Sequence, residues 1–385
     1  MQVRIEITVD DQPVAGAFYE RLISLSVTDK EGVASDSFSA ELNDGPPVFL
    51  ALPRTGATVE IRIGYGGGSL RSVGRFTVDK VQATCLPYKV SISGKSENRR
   101  SGKFRERKER HWDNITVRAV VDQIASENGL TSSIDGAIGS FEYGWLGQQD
   151  ESDFHFLERL AERHNALFAV KSGSLMFAAR GSGLTAGGTF VGSVVVTPPI
   201  IVQGSCTFEV NDQTRYKKVV AYHQDKEKAE RVEIEVDADA DGDSVYRLPE
   251  PYADVAEADK AAQAKAKQLK RGEGAASVTV IGDTSIVAGA PLLFQGVRPG
   301  LDGVPYLIDA VTHEVSKRGG FTTKISAKLY DGKSGKGGAK AAGSTGAEDA
   351  GDIDAGTVAP DSPAGTPATP ADWSAYQRNG STDTN

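Results

Sequence analysis

The sequence predicts a mainly β protein, α+β overall, with two antiparallel β-barrel domains, a small α+β domain between them and a disordered C-terminal tail. Three observations carry this. Apolar and polar residues alternate at period two through the first hundred positions, the period becomes helical between 113 and about 180, and alternation returns after about 191. A chain of 385 residues also exceeds a single hydrophobic core, since such cores stop growing at roughly 250 to 300 residues.

In the first domain, 1–100, six segments read as strands: VRIEITV (3–9), RLISLSV (21–27), SFSAEL (37–42), TVEIRIGY (58–65), GRFTVDKVQA (74–83) and YKVSISG (88–94). Short polar, Gly-rich or Pro-rich turns separate them, the spacing of a compact barrel or sandwich. KSENRRSGKFRERKERHW (95–112) carries eight Lys or Arg against three Glu with little apolar periodicity, and 101–112 is read as a basic linker or loop. In the α+β domain, 113–200, Val117, Val120, Val121, Ile124 and Ala125 fall on one helical face, and Gly129 sits where that helix would end. A second helix starts at Ser152 as N-cap, buries Phe156, Leu157, Leu160 and Ala161, and stops near Asn165, which tolerates the left-handed conformation. ALFAV and SLMFAA, joined at Ser172 and Gly173, make a hairpin.

The last domain, 201–332, contains CTFEV, KKVVAYH, AERVEIEV, ASVTVIG, APLLFQG, PYLIDAVTHEV and FTTKISAKLY as strands. Within it, 252–272 is rich in Ala, Lys and Gln and reads as an exposed helix ending at Gly272. From 333 to 385 Gly, Ala, Ser, Thr, Pro and Asp dominate. That composition cannot bury enough apolar area to offset ordering, so the stretch reads as a disordered tail, with Trp373 and Tyr376 as its aromatics.

Composition excludes several classes. No stretch approaches the roughly 20 apolar residues that span a bilayer, and the N-terminus alternates instead of carrying a basic region and an apolar block, so membrane insertion and secretion are not expected. The expected place of synthesis and folding is the cytoplasm. The two cysteines, Cys85 and Cys206, lie in separate strand-like segments and read as buried thiols, not as a disulfide or a metal cluster. A formal net charge of −9 argues against a general nucleic-acid binder.

The best metal candidate is the acidic loop. Asp237, Asp239, Asp241, Gly242 and Asp243 match the opening of a calcium loop, where spaced carboxylates converge on a hard cation. The closing acid is missing, because Leu248 stands at position 12 and Glu250 falls two residues late, so a solvated acidic hairpin loop is the better reading. The basic run Arg99, Arg100, Lys103, Arg105, Arg107, Lys108 and Arg110 has only Phe104 interleaved before Trp112. A solvated loop or a salt-bridged subunit contact therefore fits better than single-strand binding. Glu151, Asp153 and His155 are close in sequence, but residues two apart on a helix face different ways, and the carboxylates suit a helix start instead. His164 and His313 stand isolated, and YGGGSL (65–70) lacks the Lys-Ser/Thr of a phosphate loop. No catalytic residue and no cofactor site is assigned.

Three segments together resemble the phage late control gene D protein family, which includes the hub part of the VgrG spike proteins of type VI secretion. They are GRFTVDKVQATCLPYKVSISGKS (74–96), QQDESDFHFLERLAERHNALFAVKSGSLMFA (148–178) and GVPYLIDAVTHEVSKRGGFTTKISAKL (303–329). The second is the most specific, similar to the family's Q-x-x-E-S-D-x-x-F-L-x-R-L-A segment, and the third to its Y-x-I-x-x-V-x-H strand. The resemblance covers about 1–332; Asn165 stands where the family often has Gly, and the polar tail is extra. Nothing after 330 resembles a needle or OB-fold spike, so the spike would be a separate chain.

The resemblance implies a structural baseplate hub of a contractile phage tail or phage-like injection machine, assembled in the bacterial cytoplasm. Its two barrels would be tail-tube-like, and three chains would form a homotrimeric ring. The implied partners are the tail tube protein, the tape-measure protein and the spike protein, with DNA passing through the channel without specific recognition. A tail-associated cell-wall hydrolase and a calcium-dependent binding module are the alternatives.

Overall fold

The computed structural model describes residues 2–14, 16–32, 36–66, 68–96, 102–171, 174–180, 192–225, 230–239 and 242–330. The expected tail at 333–385 lies outside them, as do Arg99, Arg100, Asp241 and the turn at Ser172 and Gly173.

Alternation becomes strand in the N-terminal β unit. It comprises β1 (Val3–Val9), β2 (Gln12–Pro13), α1 (Gly16–Arg21), β3 (Leu22–Lys30), β4 (Ser37–Asn43), β5 (Thr58–Tyr65), β6 (Arg71–Thr84) and β7 (Lys89–Ser96). Every second residue points inward, and Leu25, Leu42, Ile61, Ile63, Phe76 and Val90 are completely buried in one core.

The α+β unit follows as α2 (Gly102–Arg105), β8 (Arg107–Thr116), α3 (Val117–Glu127), β9 (Thr131–Ile134), α4 (Gly136–Gly139), β10 (Glu142–Ser152), α5 (Asp153–Arg163), β11 (Ala166–Lys171) and β12 (Ser174–Ala179). Both long helices begin and bury the residues their sequences specify. Thr116 caps α3 by accepting from the Ala119 amide, and Ser152 caps α5 by accepting from the His155 amide. The buried faces are Val117, Val120, Val121, Ile124 and Ala125 on α3, and Phe156, Leu157, Leu160 and Ala161 on α5. Asn165, at φ 48°, turns the chain from α5 into β11.

The C-terminal unit contains β13 (Val194–Val196), β14 (Thr207–Val210), β15 (Lys218–Asp225), β16 (Glu230–Asp237), β17 (Val245–Tyr252), α6 (Val255–Gly272), β18 (Gly274–Ile281), β19 (Pro291–Phe294), β20 (Tyr306–Ser316) and β21 (Gly320–Leu329). Strands β16, β15 and β17 form a separate three-stranded sheet under α6.

The two β units are mainly antiparallel, but neither closes into a barrel among the described residues. They share one 13-stranded open sheet in the order β14-β18-β21-β20-β3-β4-β7-β6-β5-β1-β2, with β19 beside β20 and β13 beside β19. The physical reason lies in how the edges are used. The free edge of β20 takes β3 of the other unit, with His313 opposite Val27 and Thr28 hydroxyl-bonded to Thr312 at 3.1 Å. At the far end the sheet stops at β1 and the short β2, and the Tyr19 hydroxyl of α1 accepts from the Ile7 amide of β1 at 2.9 Å.

Three further expectations are corrected. The basic linker is strand from Arg107 onward, paired with β10 through Lys108–Glu151 and Arg110–Gln148. The 252–272 helix is not exposed: Ala258, Ala262, Ala266 and Leu269 form a stripe packed on β15 and β16, because alanines let a helix approach a sheet closely. Cys85 is exposed at a turn, not buried; Cys206 is half-buried, and both are free thiols.

Candidate functional site

The most specific sequence segment builds a polar clamp. A bulge between Gln148 and Glu151, with Asp150 at φ 48°, interrupts β10 just before it runs into α5. The Asp153 side chain is fully buried there. Its Oδ2 accepts from Lys108 Nζ at 2.7 Å and Asn128 Nδ2 at 3.2 Å, and its Oδ1 from Arg110 Nη2 at 2.8 Å and Gln148 Nε2 at 3.1 Å. Arg110 also donates Nε to Gln148 Oε1 at 2.7 Å and Nη1 to Glu127 at 2.8 and 2.9 Å, with its guanidinium 4.8 Å from the Trp112 ring centroid. Burial works against ionisation of Glu127, but hydrogen bonds from Arg110, Gln123 and Lys108 outweigh it and hold the carboxyl below its ordinary range. Glu151, one residue before the cap, pairs with Arg159, whose Nη2 donates to the Gly147 carbonyl at 2.9 Å.

Two cations and two carboxylates thus join α3, β8, β10 and α5. Both oxygens of Asp153 are occupied twice, so the arrangement fixes geometry and leaves no face for a substrate.

A second polar cluster lies where the three units meet. Arg163 of α5 pairs with Glu257 of α6, Arg271 donates to Asn165 Oδ1 at 2.7 Å, and Arg180 reaches Glu31 at 3.5 Å. Glu257 has a further role, since Asp254 accepts from its amide while its own Oε2 accepts from the Ala253 amide, a reciprocal cap at the start of α6. Glu31, Arg163, Asn165, Arg180 and Arg271 line a cleft of about 470 Å³. Alongside it, His164 is buried against the Tyr143 hydroxyl at 2.8 Å, and burial brings its pKa down to about 4.

The remaining sequence candidates do not converge. Asp239 turns to Lys270 at 2.6 Å and Arg215 at 3.8 Å, Asp237 ends β16, Asp243 is exposed, and Asp241 lies outside the described residues. No cluster of His, Cys, Asp or Glu suited to a metal occurs among the described residues. His155 is exposed, apart from Asp153, and His313 is buried with Nδ1 3.1 Å from the Thr323 hydroxyl. Sequence reasoning missed Lys108 and Arg110 as inward-facing partners. The signal was present: Lys108, Arg110 and Trp112 alternate on one face of β8 while Glu109 and His111 take the other.

Apolar side chains are exposed on two loops, one after β4 and one between β6 and β7. Val48, Phe49 and Leu52 are 66%, 56% and 49% exposed, Leu86 is 81% exposed, and Phe49 stacks edge-on against Tyr88.

The chain belongs to the phage tail baseplate hub family (GPD), whose model matches residues 35–319. The "Probable baseplate hub protein" of Escherichia phage 186 is 30% identical over 364 residues, 84% of this chain and 93% of that protein. Among solved structures, the 43 kDa tail protein of prophage MuSo2 from Shewanella oneidensis has TM-score 0.66 at 15% identity, covering 86% of this chain and 99% of that one. A chain of the Francisella PdpA-VgrG complex has TM-score 0.52 at 9% identity, over 86% of this chain and 53% of that one. The latter two likenesses show the shared fold. The protein is therefore a baseplate hub of a phage tail or related injection system, and the family resemblance read from 74–96, 148–178 and 303–329 together holds.

Proposed function

We propose that this hub forms a homotrimeric ring that joins the tail tube to the central spike, without catalysis. Each chain contributes two β units, joined where β3 and β20 run together, so three chains present six such units to a hexameric tube. The observation that carries this is the shared sheet, which sets two β units of one chain side by side. The sheet also ends in open edges, at β14 and at β1 with β2, and edges left open are natural sites of pairing between chains. The tube and tape-measure proteins would bind one side of the ring and the spike the other, with assembly in the host cytoplasm and DNA passing through the channel. Light scattering behind a sizing column, with and without the spike protein, tests the ring. A trimer, alone or on adding spike, is the expected result, whereas a persistent monomer that ignores the spike overturns the reading.

A further inference from the structure

We propose that the cleft between α5 and Glu31 binds a guanidinium or alkylammonium group, presented by a basic side chain of a second copy of this chain or by a free amine. The cleft is about 190 Å³ and sets three carboxylates, Glu31, Glu158 and Glu162, against one cation, Arg180, over a floor of Ala161, Ala166 and Phe168. The Glu31 side chain is only 5% exposed; its Oε2 lies 3.5 Å from Arg180, while its Oε1 is buried with no hydrogen-bond partner. A buried carboxylate oxygen without a donor is costly, and a donor entering the cleft relieves it.

Helix α5 sharpens the imbalance. Glu158 and Glu162 are one turn apart, a like-charge spacing that disfavours a helix. Neither pairs with a cation among the described residues, because the arginines next to them in sequence, Arg159 and Arg163, turn away to Glu151 and Glu257. Burial raises the Glu31 pKa despite the opposing pull of Arg180 and Arg271, as expected of a carboxyl short of counter-charge. An apolar floor beside carboxylates suits a charged head on a methylene stem. The carboxylates do not converge as metal ligands do.

Calorimetric titration of the full chain with arginine amide and with spermidine tests the site. Saturable binding is expected, about tenfold weaker in Glu31→Gln, the loss of one charge-assisted hydrogen bond. Glu158→Gln, which leaves the buried core untouched, is expected to weaken binding as well, while Glu209→Gln on β14 is not. Light scattering on the same samples separates the sources. If a second copy supplies the group, Glu31→Gln lowers the associated mass and arginine amide competes with association; if a free amine does, the mass is unchanged and binding persists. Absence of saturable heat at dilute and concentrated protein, with the mass of Glu31→Gln unchanged, means the cleft holds only water and overturns the proposal. Equal affinity in wild type and Glu31→Gln overturns it too.

Discussion

Asp153 is held by two cations and two amides, so its removal leaves Lys108 and Arg110 with Glu127 alone as counter-charge, beside a buried void. Asp153→Ala is expected to cost about 3–5 kcal/mol in urea unfolding, the range for breaking a buried ion pair from one side. Glu127→Ala should cost less than about 1 kcal/mol, because that side chain is 34% exposed and water screens its pairs. The cap at Ser152 was legible because capping is local. The partners of Asp153 were not, since they arrive from 43 and 45 residues away on a strand whose inward positions are charged. His164 gives a pH signature. Its folded pKa of about 4 lies below its ordinary 6.5, so on acidification the unfolded chain takes up the proton first. Its contribution is complete above pH 6.5 and is lost as pH falls toward 4, by about 3 kcal/mol. Glu31 has the opposite sign, because its raised pKa lets the native state bind the proton first and its contribution fades as pH rises above 4.5. Urea midpoints at pH 7 and pH 4.5 should differ in wild type, and His164→Gln should remove most of that difference.

Elements were read well where periodicity was carried by large apolar residues, as in α3 and α5, and less well where small or charged residues carried it. Helix α6 reads as exposed in the sequence because its inward stripe is alanine, a residue that signals helix without signalling burial. Ala262 is completely buried in that stripe, facing Val219 and Ala221 of β15. Ala262→Leu is therefore expected to destabilise by about 1–3 kcal/mol through overpacking, read as a lowered thermal midpoint, although leucine is a good helix former. Strand β20 hides a second device. Tyr306 and Ile308 point inward at even positions, and Val311, His313 and Val315 at odd ones, because the register slips between Ile308 and Ala310. The two unassigned positions between Ile and Val in the Y-x-I-x-x-V-x-H pattern are that slip, written in spacing. Without it, His313 and Val315 would face solvent.

At the scale of the molecule, a β unit at each end of the chain with helices between was visible in the order of patterns, but the joining of the β units was not. Thr28 and Thr312, bonded across β3 and β20, are 284 positions apart, and no local pattern reports a pairing of that separation. The joining has an energetic consequence. The tip of the β20–β21 hairpin supplies Val315 and Phe321 to the core of the N-terminal unit, where Phe321 lies 5.7 Å from the Tyr65 ring. Tyr65 in turn donates its hydroxyl to the Gly282 carbonyl at 2.9 Å, and Gly282 must stay glycine because an added Cβ would lie 2.2 Å from the Phe321 ring. Phe321→Ala should therefore cost about 3–5 kcal/mol and be felt in both units. Amide hydrogen exchange reads this directly: faster exchange is expected in β5 and β6 as well as in β20 and β21. Acceleration confined to the C-terminal strands would mean that the shared sheet links two cores that open independently, and that the first hundred residues are stable without the last thirty of the described fold.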